Sequence, residues 1–432
     1  MNERDTLKFE NNVLHIGGCS TLELAKEYGT PIYVMDEEYI EDMCRVYTDT
    51  LKNNYPNSLV LYASKAFCCK EIYRIISRFE MGCDTVSAGE ILTAHSAGFD
   101  CSKIYFHGNN KTDKEIRIAL DHGVVKFVLD NLDEIERLDK IITKEYKNKK
   151  IDVLLRINPG VEAHTHSYIQ TANPDSKFGV NFETAISLIK VLGDKETLNF
   201  TGLHCHIGSQ IFEKKSFEIA TEKMVDFIGK LKNKFGIKVQ ELDMGGGFGI
   251  WYNDEDAKKS SSEYSSYLLA IIDVLKAGLK KYNLEPPCLM VEPGRSIVGE
   301  AGITLYTVGT IKEIEKIRKY LCVDGGMFEN PRYCLYQAKY TPVKCKKEDK
   351  ETEKVTIAGK CCESGDILAV DCEIEKCEIG DVIAVLSTGA YNYSMASNYN
   401  RNPIPAVVMV KDGKSRVVVR GQDYKDMFTN DI

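Results

Sequence analysis

No stretch of this chain approaches the roughly 18 consecutive apolar residues of a membrane span, so no transmembrane helix is expected. Basic residues are not in excess either: 56 Lys and Arg against 64 Asp and Glu leave a net charge of −8. That removes the electrostatic footprint of a nucleic-acid partner. The opening residues, MNERDTLKFE, are charged from the second position with no apolar run behind them, which argues against a secretory signal. Fifteen cysteines include the neighbours Cys68-Cys69 and Cys361-Cys362 but no CxxC…CxxC pattern, so a structural zinc site is not expected. An odd count without an export signal reads as free thiols in a reducing compartment, and we expect a cytoplasmic protein. Hydrophobic residues make up 43% and charged residues 28% of 432, an ordinary globular composition that sets aside disordered, collagen-like and coiled-coil classes.

From residue 59 onward, short apolar runs alternate with longer amphipathic ones. The short runs are LVLYASK (59–65), CDTVS (83–87), KIYFHG (103–108), VKFVLD (125–130), DVLLRINPG (152–160), FTGLHCHIG (200–208), VQELDMGGG (239–247) and CLMVEPGR (288–295). Each has the length and composition of a buried parallel strand. Between them, segments such as KEIYRIISRF and SFEIATEKMVDFIGKLKNKF place apolar residues three and four apart, as an amphipathic helix does. Eight such strands predict an α/β (β/α)8 barrel of the TIM type. An open doubly wound sheet is the rival, but Lys65, Asp84, His107, Asp130, Arg156, Asn158, His206 and Glu292 all fall at strand C-terminal ends, which converge on one mouth only in a barrel. Beyond about residue 300 the texture turns β-rich, with a turn signal at Asp412-Gly413, and predicts a mostly antiparallel second domain. We expect the barrel over 36–300 and the β-rich domain over 1–35 plus 301–432. The charged stretch KCKKEDKETEK (344–354) reads as an exposed loop.

Lys65 ends the first strand. Such a lysine either snorkels to water or, with its pKa lowered by burial, condenses with a carbonyl. The glycine run Gly245–Gly247 follows the seventh strand and EPGRS the eighth, the two loops where barrels commonly hold phosphate. Glycines there expose backbone N–H groups and let an anion approach. His204 and His206 stand two apart, a spacing that puts strand side chains on one face. With Asp243 or Glu292 they would make at best an improvised metal set, and no metal is expected. A lysine, a phosphate cradle and a carboxylate after strand eight together suit pyridoxal 5'-phosphate.

The segments YASKA, GCDTVSAGE, DSKFG, GLHCHIGSQ, GGGFG, VEPGR, KCCESGD and GAYNYSM, in this order over nearly the whole chain, resemble the fold-type III pyridoxal-phosphate-dependent decarboxylases. The resemblance implies the alanine racemase-like arrangement of a barrel followed by a β domain. It implies that Lys65 binds the cofactor, that His206 lies against its ring and that Glu292 pairs with the ring nitrogen. Asp84, Ser209, Gly245, Gly246, Gly247, Gly294, Arg295 and Tyr391 would complete the cofactor site. Arg295, Arg332, Tyr336, Glu363 and Tyr391 would hold the substrate, and Cys362 would return a proton to it. The catalytic set is then Lys65, Cys362, His206 and Glu292. Arginines beside Glu363 suit a substrate whose far end carries a carboxylate and an ammonium, as meso-2,6-diaminopimelate does. The resemblance further implies a homodimer in which the β domain of one subunit, through Cys362 and Glu363, serves the site of the other. Phe67 stands where the family often has Asn, and Tyr333-Cys334 where it has Pro-Ala.

Three alternatives stay open. One is a related decarboxylase of ornithine, arginine, D-lysine or carboxynorspermidine, another an amino-acid racemase, which would want arginine in place of Glu292. The third is a non-catalytic homologue, which should have lost Lys65 or Cys362.

Overall fold

A computed structural model describes residues 5–161, 176–253, 255–256, 261–348 and 351–432. The chain divides into two units. One comprises Met43–Gly249 and Lys259–Gly294; the other comprises Met1–Asp42, Ile250–Lys258 and Arg295–Ile432.

The first unit is a closed eight-stranded parallel barrel. Its strands are β1 (Ser58–Ala63), β2 (Gly82–Thr85), β3 (Ile104–Phe106), β4 (Lys126–Leu129), β5 (Ile151–Ile157), β6 (Leu198–Cys205), β7 (Glu241–Asp243) and β8 (Cys288–Val291). β8 closes the ring on β1 through Leu289–Ser58, Met290–Leu59 and Val291–Val60. Leu61, Tyr105, Val128, Leu154 and Met290 fill a buried apolar layer. A polar layer is knitted by Glu241, which accepts hydrogen bonds from Tyr105 (3.2 Å), Lys126 (2.7 Å) and Thr201 (2.7 Å). The helices begin where the sequence offers a cap: Ser87, Thr112 and Asn131 each accept the N–H three residues on. Among them, Thr112 and Glu115 form a reciprocal capping box. The long helix Lys214–Phe235 stops at Gly236, whose φ of 68° reverses the chain.

The second unit is a nine-stranded, mostly antiparallel sheet beside a three-stranded one. Its longest strand, Gly302–Ile314, pairs antiparallel with Ile32–Asp36, Arg318–Val323 and Val382–Val385. The hairpin joining Val407–Lys411 to Lys414–Val419 turns on Asp412 and Gly413, both at positive φ, as a tight two-residue turn requires. The N-terminal strands Leu7–Glu10, Val13–Ile16 and Cys19–Ser20 pack on this unit, and Trp251 is buried with them. Ile250 and Tyr252, flanking that tryptophan, are buried in a different cluster with Tyr306, Leu321 and Tyr340. The alternation of an extended segment thus drives its side chains into two cores.

The charged stretch 344–354 is an exposed loop only in part: Lys346, Lys347 and Glu348 are exposed, but its two ends belong to strands. Lys344 ends the strand Pro342–Lys344, is buried, and pairs with Glu348 (2.8 Å) and Asp381 (3.0 Å). Thr352 opens another strand, Thr352–Ala358, while residues 349–350 lie outside the described residues. Among the described residues no helix is long and apolar enough to cross a membrane.

Candidate active site

In the barrel, chemistry collects just past the strand ends. β1 stops at Ala63, and Lys65 sits in the following turn, Ser64–Ala66. The Ser64 N–H donates to Asp84 Oδ1 of β2 at 3.1 Å, and the Tyr62 hydroxyl donates to the Phe67 carbonyl at 2.8 Å, so both sides of the turn are tied down. The expectation of a buried lysine is corrected here. Lys65 lies beyond the strand rather than on it, and its side chain is exposed. Its charge still reaches inward, since it lowers the pKa of both Asp84 and His206. Asp84 itself is buried, and burial together with Glu292 lifts its carboxyl to about 6.

Glu292, directly after β8, is 6% exposed. His204 of β6 lies 3.3 Å from Oε2 and His107, directly after β3, lies 3.0 Å from Oε1. The two imidazoles meet edge to face, with centroids 4.8 Å apart. Burial alone would raise the Glu292 pKa, but the flanking imidazoles hold it well below the carboxylate range, so it stays ionised. Burial pushes His204 down to about 4, which makes it a neutral N–H donor to that carboxylate. The carboxyl of Asp243 of β7, wholly buried beside Glu292, is raised well above its ordinary value by burial first and then by the Glu292 charge. The histidines that converge are therefore His107 and His204, not His204 and His206. β6 ends at Cys205, and the two-residue alternation of a strand ends with it. Ligand atoms of His107, His204, Asp243 and Glu292 lie within 4.8 Å of one another. Within this group Glu292 is already engaged by imidazole, and the pKa of Asp243 is shifted opposite to that of Glu292.

His206 is half-buried, and its Nδ1 accepts the Gly246 N–H at 3.2 Å. Burial first, then the charges of Lys65 and Arg156, keep its ring neutral. The glycines have a reason that the sequence did not disclose. A Cβ on Gly246 would stand 2.1 Å from the Glu292 carbonyl oxygen, and one on Gly247 2.3 Å from that of Gly208. The run is glycine because three loops press backbone to backbone. The Gly245 N–H already donates to Asp243 Oδ1 at 2.8 Å, so two N–H groups of the run are taken by side chains, those of Asp243 and His206. Ser209 is half-buried beyond β6, and Gly294 is buried against Ala63. In DSKFG, Phe178 lies 4.5 Å from the Arg156 guanidinium, while Asp175 falls outside the described residues.

These residues fit pyridoxal phosphate on one observation above all. Among the described residues no well-aligned hydrogen bond reaches Oε1 of the buried, ionised Glu292, although His107 Nε2 stands 3.0 Å away. A buried carboxylate oxygen that still lacks a donor is what a protonated ring nitrogen would satisfy.

The β unit gathers a second cluster. Arg332 opens the short helix Arg332–Tyr336 and is buried, as is Arg295. Tyr391, held at φ 70°, presents its ring 4.7 Å from the Arg295 guanidinium and 5.3 Å from that of Arg332. Tyr336 is exposed, 5.8 Å from Arg332. The hydroxyl of Tyr252 accepts from both Arg295 and Arg332 Nη1, the latter at 3.0 Å. Arg332 also donates to the Tyr340 hydroxyl at 3.1 Å, and Asn392 donates to the same oxygen at 3.3 Å. Sequence reasoning missed Tyr252, Tyr340 and Asn392, and it noted His107 without its role. Asn392 lies within GAYNYSM, but Tyr252 and Tyr340 belong to none of the quoted segments, and Tyr252 and Arg332 are 80 positions apart.

Elsewhere in that unit, Cys362 and Glu363 are exposed in the turn between Thr352–Ala358 and Ile367–Glu375. Asp366 shapes the turn by accepting the N–H groups of Cys361 and Met327, both at 2.6 Å, and Asn400 accepts that of Cys362 at 2.8 Å.

Comparison with known proteins agrees with this chemistry. Residues 41–299 match the family described as "Pyridoxal-dependent decarboxylase, pyridoxal binding domain". The chain is 44% identical over 430 residues to a diaminopimelate decarboxylase of Staphylococcus aureus, covering 99% of each. It is 43% identical to one of Bacillus subtilis, covering 97% of this chain and 95% of the relative. A crystal structure of diaminopimelate decarboxylase from M. jannaschii, in co-complex with L-lysine, superposes with a TM-score of 0.90 at 34% identity, over 99% of this chain and 98% of that one.

Proposed function

The chain belongs to the pyridoxal-dependent decarboxylases, its full-length relatives being diaminopimelate decarboxylases, and from that premise we propose how its own residues carry the reaction. It is a carboxy-lyase that removes CO2 from meso-2,6-diaminopimelate to give L-lysine, a step of lysine biosynthesis, with pyridoxal 5'-phosphate as its cofactor. When bound, the cofactor supplies a cationic ring that takes up the electron pair left on the α-carbon as CO2 departs.

Lys65 is the covalent anchor of that cofactor, Glu292 the acceptor for its ring N–H, and neutral His206 the flat surface against its ring. Asp84, Ser209, Gly245, Gly246, Gly247, Gly294, Arg295 and Tyr391 complete its surroundings. The observation that carries this assignment is the buried, ionised Glu292 set between two imidazoles. A carboxylate there keeps the ring nitrogen protonated, whereas the arginine of a racemase-type site would not. Arg295, Arg332, Tyr336 and Tyr391 hold the distal carboxylate, for which the planar guanidinium is suited. Glu363 takes the distal ammonium, and Cys362 returns a proton to the α-carbon. The exposure of Cys362 and Glu363 supports a homodimer in which they serve the partner subunit's site. Fifteen free cysteines support a reducing compartment, and the chain is assigned to the cytoplasm.

The test is CO2 release from purified protein given meso-diaminopimelate, D-lysine, ornithine or arginine separately. Diaminopimelate is expected to be turned over fastest. Faster release from ornithine would overturn the substrate assignment.

A further inference from the structure

Two buried guanidiniums meeting at one phenol oxygen set a chemical constraint. Arginine does not lose its proton in proteins, and a phenol oxygen has two acceptor positions and one proton. Arg295 and Arg332 occupy the acceptor positions of Tyr252. Among the described residues no acceptor receives the proton. Tyr340, whose ring meets that of Tyr252 edge to face at 5.2 Å, already accepts from Arg332 and Asn392. Burial opposes the charge of Arg332, and its largest supports are the phenols Tyr340, Tyr252 and Tyr391. The cluster thus holds two positive charges and one uncommitted O–H.

We propose that Tyr252 is a specificity residue of the carboxylate grip, fixing the spacing of Arg295 and Arg332 and donating its own proton to the substrate's distal carboxylate. This rests on the reading that Arg332 holds that carboxylate. An arginine pair alone attracts any anion; adding a phenol O–H between them gives three donors in a set arrangement and rewards a two-oxygen acceptor. The charged and titratable groups facing the hydroxyl are Arg295, Arg332 and Tyr340, and Asp256 accepts the backbone N–H of Tyr252 at 3.0 Å. Although burial would raise its pKa, the two arginines bring the phenol below its ordinary value. Once ionised, Tyr252 competes with the substrate for both guanidiniums. KM for diaminopimelate should therefore rise with pH as the phenol loses its proton.

The experiment uses holoenzyme with Tyr252→Phe, which keeps the ring and its packing, and Arg332→Ala beside it. In Tyr252→Phe, KM for meso-diaminopimelate is expected to rise about tenfold, the loss of a hydrogen bond to a charged group, with kcat within about twofold. Its rise of KM with pH should be absent. The inhibition constant of D-lysine, which has no distal carboxylate, and the affinity for pyridoxal phosphate should not move. An unchanged KM, an equal loss for D-lysine, or a pH profile parallel to wild type would overturn the proposal, because a merely structural tyrosine predicts those results. Weakened cofactor affinity would overturn it too, by placing the donors on a phosphate. If Arg332→Ala leaves KM unchanged, the reading beneath the proposal fails first, whatever Tyr252→Phe shows.

Discussion

Lys65 stands two positions beyond the last residue of β1, exposed, with its turn pinned by Ser64 and Tyr62. With the backbone of its turn pinned, an exposed Lys65 side chain can reach a carbonyl without moving the barrel. Treating the holoenzyme with borohydride is expected to fix the cofactor on Lys65, and peptide mass spectrometry reads the position. Lys65→Ala should lower turnover at least about a hundredfold, as removal of a covalent catalytic group does. Fixation on another lysine would overturn the assignment. At this scale the sequence disclosed residues whose type and position at a strand end carry meaning, such as Lys65, His206 and Glu292. It could not disclose what surrounds them. Nothing near Glu292 in the chain says that His107 and His204 flank it, or that its charge helps raise the pKa of Asp243.

Elements were legible where a period was clean. The eight short runs became eight parallel strands, most of them apolar on both faces as barrel strands are, although β7 carries Leu242 alone as an apolar residue. Boundaries were less legible, since LVLYASK reads as one run to Lys65 although pairing ends at Ala63. The loop Gly325–Asn330, which leads into the Arg332 helix, was not legible at all. Within it Glu329 is fully buried, accepting from the Tyr306 hydroxyl at 2.6 Å and the Gly326 N–H at 2.8 Å. Burial lifts its pKa from 4.5 to about 8, so it is protonated in the folded state where the unfolded chain would be ionised. Its contribution to stability is complete below pH 4.5 and is lost as pH rises through about 8. Glu329→Gln, which imitates the protonated form, should make the melting temperature fall less over that window than it does in wild type. Parallel pH profiles in thermal denaturation would show that Glu329 is not the group responsible.

For the whole molecule, the question is which chain completes which site. If Cys362 serves the partner subunit, Lys65 and Cys362 of one chain belong to different sites. Lys65→Ala and Cys362→Ala homodimers should each be nearly inactive. Refolded as an equal mixture, about half the dimers should be heterodimers with one intact site each, so roughly a quarter of all sites should recover by symmetry. A mixture no more active than its parents would mean that both residues serve one site within a chain. The exposure of Cys362 has another consequence. Of fifteen cysteines it alone is exposed, whereas burial pushes the thiols of Cys69, Cys345 and Cys361 up to about 11, 12 and 12. Thiolate, not thiol, reacts with alkylating reagents. The protein thus comes with one built-in attachment point for a dye or spin label, needing no engineered cysteine and no removal of native ones. Near neutral pH, iodoacetamide should add a single label per chain, in the CCESGD peptide, and substrate should slow its arrival.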